Sequence, residues 1–212
     1  MTAIEIKNVT KRFKDRLVID DISLDLPSAQ IHGLIGRNGS GKTVLMKMIV
    51  GFMTPDSGTI RVFGDIIGKD TDFAKNVGAI IETPGFLPFE NGFSNLKYLA
   101  SIRGKISDKE IKNAISSVGL NPDDKKHVGK YSLGMRQRLG LAQAIMENPD
   151  LLILDEPLNG LDKDGVKEMR QYLLNLKAQG KTILIASHSA EDIDILCDTV
   201  FEIDKGRLEK VR

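Results

Sequence analysis

The stretch Gly36-Arg37-Asn38-Gly39-Ser40-Gly41-Lys42-Thr43 limits what this chain can fold into more than any other. It matches G-x-x-x-x-G-K-[ST] at every fixed position, follows the apolar run Ile31-His32-Gly33-Leu34-Ile35 and precedes Val44-Leu45-Met46-Lys47-Met48-Ile49, which reads as a helix. Strand, loop and helix in that order make a backbone cradle for an anion. Glycines let successive N–H groups turn inward, and the positive end of the following helix faces the same point. Lys42 is expected to reach the terminal phosphates of a nucleotide and the Thr43 hydroxyl to hold Mg²⁺.

With 212 residues, 41% hydrophobic and 28% charged, the chain has the size of one large α/β domain or of one domain carrying a subdomain. Thirty basic residues against 29 acidic ones leave a formal charge of +1, so neither a nucleic-acid groove nor a polybasic membrane anchor is expected. Cys197 is the only cysteine, which excludes an internal disulfide and fits a reducing compartment. The N-terminus alternates apolar and polar residues like a strand rather than a signal peptide, and no run of about 18 apolar residues occurs. A cytoplasmic type of chain that does not itself cross a membrane is expected.

Residues 3–9, 17–26 and 59–63 read as alternating strands that form an antiparallel patch beside a parallel core. Phe13 falls in the turn between the first two and, on its own surroundings, reads as a packed turn residue. The first helix ends at Gly51, residues 77–81 read as a buried strand, and Glu82 to Pro88 is too rich in Pro and Gly for regular structure. The pattern then turns helical: Ser94 is expected to cap a helix through Arg103, Ser107 and Glu110 to form a capping box, and Ser132 to cap a helix to Glu147. Residues 89–146 are thus a helical subdomain inserted between core segments 1–88 and 147–212. The continuous apolar runs Leu151–Leu154 and Thr182–Ala186 are expected to be central parallel strands, with a helix between them from about Asp164 to Ala178.

Ligands in parallel sheets bind at the carboxyl ends of the strands. Asp155-Glu156 directly follows one such strand, and His188 stands just past the other. Asp155 suits the metal shell that Thr43 begins, Glu156 suits polarising a water for in-line attack, and His188 suits donation to a γ-phosphate.

Together with Tyr131-Ser132-Leu133-Gly134-Met135-Arg136-Gln137-Arg138 and Leu158-Asn159-Gly160-Leu161-Asp162, these motifs resemble, over essentially the whole chain, the nucleotide-binding domain of ATP-binding cassette (ABC) proteins. The resemblance implies an α/β P-loop NTPase core, with Gly36 to Val44 around ATP and Mg²⁺ held by Thr43, Asp155 and Glu82. It implies Phe13 stacking on adenine, and catalysis by Glu156, His188, Glu82 and Lys42. It also implies Ser132, Leu133, Gly134 and Met135 contacting ATP bound by a partner cassette, and Asn159 and Asp162 communicating across the dimer. Membrane subunits encoded separately would carry the transport path, placing the chain at the inner face of the cell membrane.

Three positions depart from the family pattern. Leu133 replaces a signature glycine, Met135 replaces its glutamine, and Glu82 stands where a glutamine is usual. An extra carboxylate at Glu82 is expected to raise the pKa of at least one neighbouring carboxyl group. Its surroundings, Ile81-Glu82-Thr83-Pro84-Gly85-Phe86, resemble the bacitracin- and lantibiotic-export type of cassette. The alternatives are a soluble ABC-type ATPase acting on ribosomes or DNA, whose relatives carry tandem cassettes or a long coiled-coil insertion, and a small-molecule kinase, which would lack the signature segment.

Overall fold

The computed structural model describes residues 1–212. Alternating apolar residues make β1 (Thr2–Phe13) and β2 (Arg16–Pro27) an antiparallel pair, with Ile4, Ile6 and Val9 buried against Ile22, Leu24 and Leu26. The chain continues through β3 (Ile31–Ile35), α1 (Lys42–Val50), β4 (Ser57–Val62), β5 (Asp65–Ile66) and β6 (Val77–Ile80). A helical stretch follows, with α2 (Gly92–Arg103), α3 (Asp108–Ser117), a 3₁₀ turn at Val128–Lys130 and α4 (Leu133–Ile145). The last third runs β7 (Leu151–Asp155), α5 (Lys163–Ala178), β8 (Thr182–Ala186), α6 (Ala190–Leu196), β9 (Thr199–Asp204) and β10 (Arg207–Lys210).

Two sheets result: a four-stranded antiparallel one, β2-β1-β4-β5, and a six-stranded one, β10-β9-β3-β8-β7-β6, in which only β10 runs antiparallel. The period of two in a strand splits the core. Leu151 and Ile153 of β7, with Leu184 and Ala186 of β8, point toward α1 and the antiparallel sheet. Leu152 and Leu154, with Ile183 and Ile185, point to the opposite face. There they share one continuous core with Leu96 of α2, Ile111 and Ile115 of α3 and Leu139 of α4. Because α1 lies between the sheets, Leu45, Met46, Met48 and Ile49 are all fully buried.

The expected α/β P-loop architecture is therefore present, with its antiparallel patch and helical stretch. Several local readings need correction. The cap of α2 is Asn91, whose Oδ1 accepts from the Ser94 N–H at 2.8 Å; Ser94 contributes its backbone, so the helix starts three residues earlier. Strand β6 stops at Ile80 rather than 81, α4 ends at Ile145 with Met146 as cap, and β5 and the 3₁₀ turn are too short to leave a periodic signal. The Ser107–Glu110 capping box is formed as expected.

Candidate active site

The loop between β3 and α1 turns through left-handed backbone at Gly36, Gly39 and Gly41. At Gly41 a side chain has no room: a Cβ would lie 2.8 Å from Ile19 Cδ1 and 3.0 Å from Val18 O, so the loop closes against β2. Lys42 Nζ donates to the carbonyls of Gly36 (2.6 Å) and Arg37 (3.1 Å), and burial lowers its pKa against the pull of Asp155 and Glu156. A cavity of about 590 Å³ opens over the loop, lined by Asn38, Gly39, Gly41, Lys42, Thr43 and Val44 and walled by Phe13, Arg16 and Val18.

The parallel strands deliver the acidic and histidine side chains to this cavity. Thr43 Oγ1 donates to Asp155 Oδ2 at 2.8 Å, joining the start of α1 to the end of β7. Glu156 lies one residue on with φ 50°; its N–H donates to Ala186 O at 3.0 Å, and its carbonyl accepts from Gln137 Nε2 at 3.0 Å. Its Oε1 is buried without a hydrogen-bond partner, and His188 Nε2 stands 3.4 Å away. Burial raises the Glu156 pKa, opposed by His188 and Lys42 and aided by Asp155. A raised carboxyl pKa was expected, but its cause is burial rather than Glu82.

Glu82 lines the cavity's rim, yet its carboxylate pairs with Lys47 Nζ on α1 at 2.7 Å and is 64% exposed. Phe13 closes β1 rather than sitting in the turn; the residue is 43% exposed and Lys11 Nζ lies 5.7 Å from its ring centroid. Gly36 and Arg37 line a neighbouring cavity of about 560 Å³ beneath His188, and Ser40 is buried with an unpartnered hydroxyl. The loop residues expected around ATP therefore do not all face one space.

The segment at the start of α4 divides. Leu133 and Gln137, one helical turn apart, face the cavity over the loop, together with Asn159. Ser132, Gly134 and Met135 line a separate depression with Asp162. Ser132 Oγ accepts from the Met135 N–H at 3.1 Å, and Asp162 Oδ1 caps α5 by accepting from the Gly165 N–H at 2.9 Å. Gln137, Lys47, Arg16 and Thr83 were not singled out as site residues from sequence. Only Gln137 had a signal, its helical spacing from Leu133.

A phosphate cradle, a Thr–Asp pair and a buried carboxylate at the ends of adjacent parallel strands define a P-loop nucleotide hydrolase. The family model for the ABC transporter matches residues 19–159, and the chain belongs to that family as an ATP-binding, ATP-hydrolysing subunit. Among its relatives are an uncharacterized ABC transporter ATP-binding protein, YybJ, of Bacillus subtilis, 47% identical over 97% of this chain and 94% of the relative. The bacitracin transport ATP-binding protein BcrA of Enterococcus faecalis is 44% identical over 97% of this chain and 67% of its own length. The lantibiotic transport ATP-binding protein SrtF of Streptococcus pyogenes is 35% identical over 97% and 88%. Two solved structures share the fold: a nucleotide-free ATP-binding cassette from an ABC transporter (TM-score 0.86, 22% identity, 100% and 92% covered), and the dimeric MJ0796, a bacterial ABC transporter cassette (0.87, 21%, 99% and 99%).

No helix is long and apolar enough to cross a membrane. The donor set fits a divalent cation delivered with a nucleotide. Thr43 and Asp155 supply two oxygens held 2.8 Å apart at the mouth of the phosphate loop, and no cluster of three or more acidic, histidine or cysteine ligands exists to hold an ion alone.

Proposed function

We propose that the chain powers export of a peptide antibiotic or a similar compound through separate integral membrane subunits, working as a dimer of cassettes at the cytoplasmic face of the membrane. The names of the bacitracin and lantibiotic relatives support the substrate class. In this reading the N–H groups from Gly36 to Val44 orient the phosphates, Lys42 leaves its loop carbonyls for the terminal phosphates, and Phe13 stacks on adenine. Thr43 and Asp155 would hold Mg²⁺, and Glu82 would join them on leaving its ion pair with Lys47. When bound, Mg²⁺ neutralises charge on the phosphate oxygens.

Glu156 Oε1 accepts a hydrogen bond from the attacking water and draws its proton as the oxygen–γ-phosphorus bond forms and the bond to the β–γ bridging oxygen breaks, releasing ADP and phosphate; His188, 3.4 Å from that oxygen of Glu156, steadies the γ-phosphate. The single observation that carries this reading is the buried, unpartnered Oε1 of Glu156 beside His188 and the Thr43–Asp155 pair. Ser132, Gly134 and Met135 line a depression with Asp162, apart from their own chain's cradle, which supports their facing a partner cassette's ATP; Leu133 and Asn159 face their own chain's cavity and would meet the partner only from that side.

Residues 89–146 would move as a unit against 1–88 and 147–212. Leu87 and Phe89, with Tyr98 and Ile102 of α2, leave large apolar surface exposed near that boundary and suit contact with a membrane subunit. Phe86, by contrast, packs against the core. Glu156→Gln is expected to bind ATP and dimerise while turnover falls about 10²-fold or more; phosphate release at a near-native rate would remove Glu156 from its role.

A further inference from the structure

His188 has a half-exposed ring, and its own backbone is not part of β8 or α6. Something must hold it at 3.4 Å from Glu156, and the residues on either side are tied to one buried carboxylate. Asp192 of α6 is 5% exposed. Its Oδ2 accepts from Ser187 Oγ at 3.1 Å, and its N–H donates to Ser189 Oγ at 3.2 Å. Ser187 Oγ in turn accepts from the Ser189 N–H at 3.1 Å, so the residues before and after His188 are fastened to each other as well as to Asp192. The other oxygen of Asp192 is taken by Arg170 of α5, whose Nε donates to Oδ1 at 2.8 Å; the second nitrogen of that guanidinium reaches Oδ1 and Glu191.

The buried side chain has both carboxylate oxygens committed, one to a helix that begins at Asp162 and one to the His188 loop. An unpaired charge in that position would be costly, and two guanidinium nitrogens donating to the one oxygen Oδ1 hold the carboxylate while leaving Oδ2 to Ser187. A simple cap for α6 needs only the Ser189 hydroxyl. The Ser187 bond and the Arg170 fork are additional to it.

We propose that Asp192, oriented by Arg170, is a positioning residue for the hydrolytic reaction. Through Ser187 and Ser189 it sets where the His188 ring stands relative to Glu156 and the γ-phosphate, and it links that ring to the helix started at Asp162. The inference rests on the role given to His188 above. A change at the start of α5 thereby reaches the His188 loop through the guanidinium without passing through the phosphate cradle.

The test is a double-mutant cycle in the full chain, reading kcat for ATP and equilibrium binding of a fluorescent ATP analogue. Asp192→Asn and Ser187→Ala should each lower kcat about tenfold with nucleotide affinity kept within twofold, and neither should lower kcat further by more than twofold once His188→Ala is present. Ser187→Ala leaves the Arg170–Asp192 pair intact, so it carries the test if Asp192→Asn does not fold. Native kcat in Ser187→Ala, or the same fractional loss with and without His188, would overturn the proposal. A native rate in His188→Ala alone has a different signature: it removes the role of His188 first, and the proposal with it.

Discussion

Glu156 occupies left-handed backbone at φ 50°, a region that costs a non-glycine residue about 1 kcal/mol or more. The strain is held by backbone bonds to Ala186 and Asn159 and by the Gln137 side chain, which also ties the carboxylate's peptide to α4. Gln137→Ala should therefore lower ATP turnover severalfold while leaving nucleotide affinity within about twofold; unchanged turnover would show that the backbone bonds suffice. His32 is the other residue with a defined consequence. Its Nε2 must donate to the Pro27 carbonyl at 2.8 Å, and in the neutral ring Nδ1 then accepts from the Thr199 hydroxyl at 2.7 Å. Burial lowers its pKa, so the unfolded chain takes up the proton first. Its stabilising contribution is full above the ordinary histidine value of about 6.5 and is lost as pH falls through the lowered folded value. Urea midpoints measured from pH 7.5 to 5 should fall more steeply for the native chain than for His32→Gln.

Elements, rather than single residues, decide which side chains share a space. Helix α4 presents Leu133 and Gln137 to its own chain's cavity, while its cap Ser132 and Gly134 line a separate depression, a division that the motif as a string conceals. The Pro- and Gly-rich loop after β6 is anchored by Asn95 of α2. This residue is 4% exposed, accepts from the Leu87 N–H at 2.7 Å and donates to the Leu87 carbonyl at 3.1 Å. Asn95→Ala should destabilise the fold by about 1–3 kcal/mol in urea titration, because it strands buried polar groups. In the assembled transporter it should keep basal ATP turnover within about twofold and lose most transport-stimulated turnover; full stimulation would separate this loop from the membrane subunits.

Across the whole molecule, what was legible in the sequence followed local rules. The glycines and lysine of the loop, the apolar runs of β7 and β8 and the carboxylates at a strand end are each stated by neighbours in the chain, and so was the α/β P-loop fold. Partners distant in sequence were not legible. Lys47 lies 35 residues before Glu82, yet their pairing sets where that carboxylate points; Asn91 displaced Ser94 as a cap because both satisfy the same local rule. The cause of the raised Glu156 pKa was likewise hidden, since burial depends on the packing of both sheets.

The composite site is the claim that reaches furthest. Its most direct test mixes two inactive variants, Lys42→Ala with a disabled cradle and Ser132→Phe with a blocked signature surface. Each alone should hydrolyse ATP at a few per cent of the native rate or less, and mixing should restore activity, because about half of the dimers regain one intact site. No recovery on mixing, with mixed dimers verified to form, would contradict it.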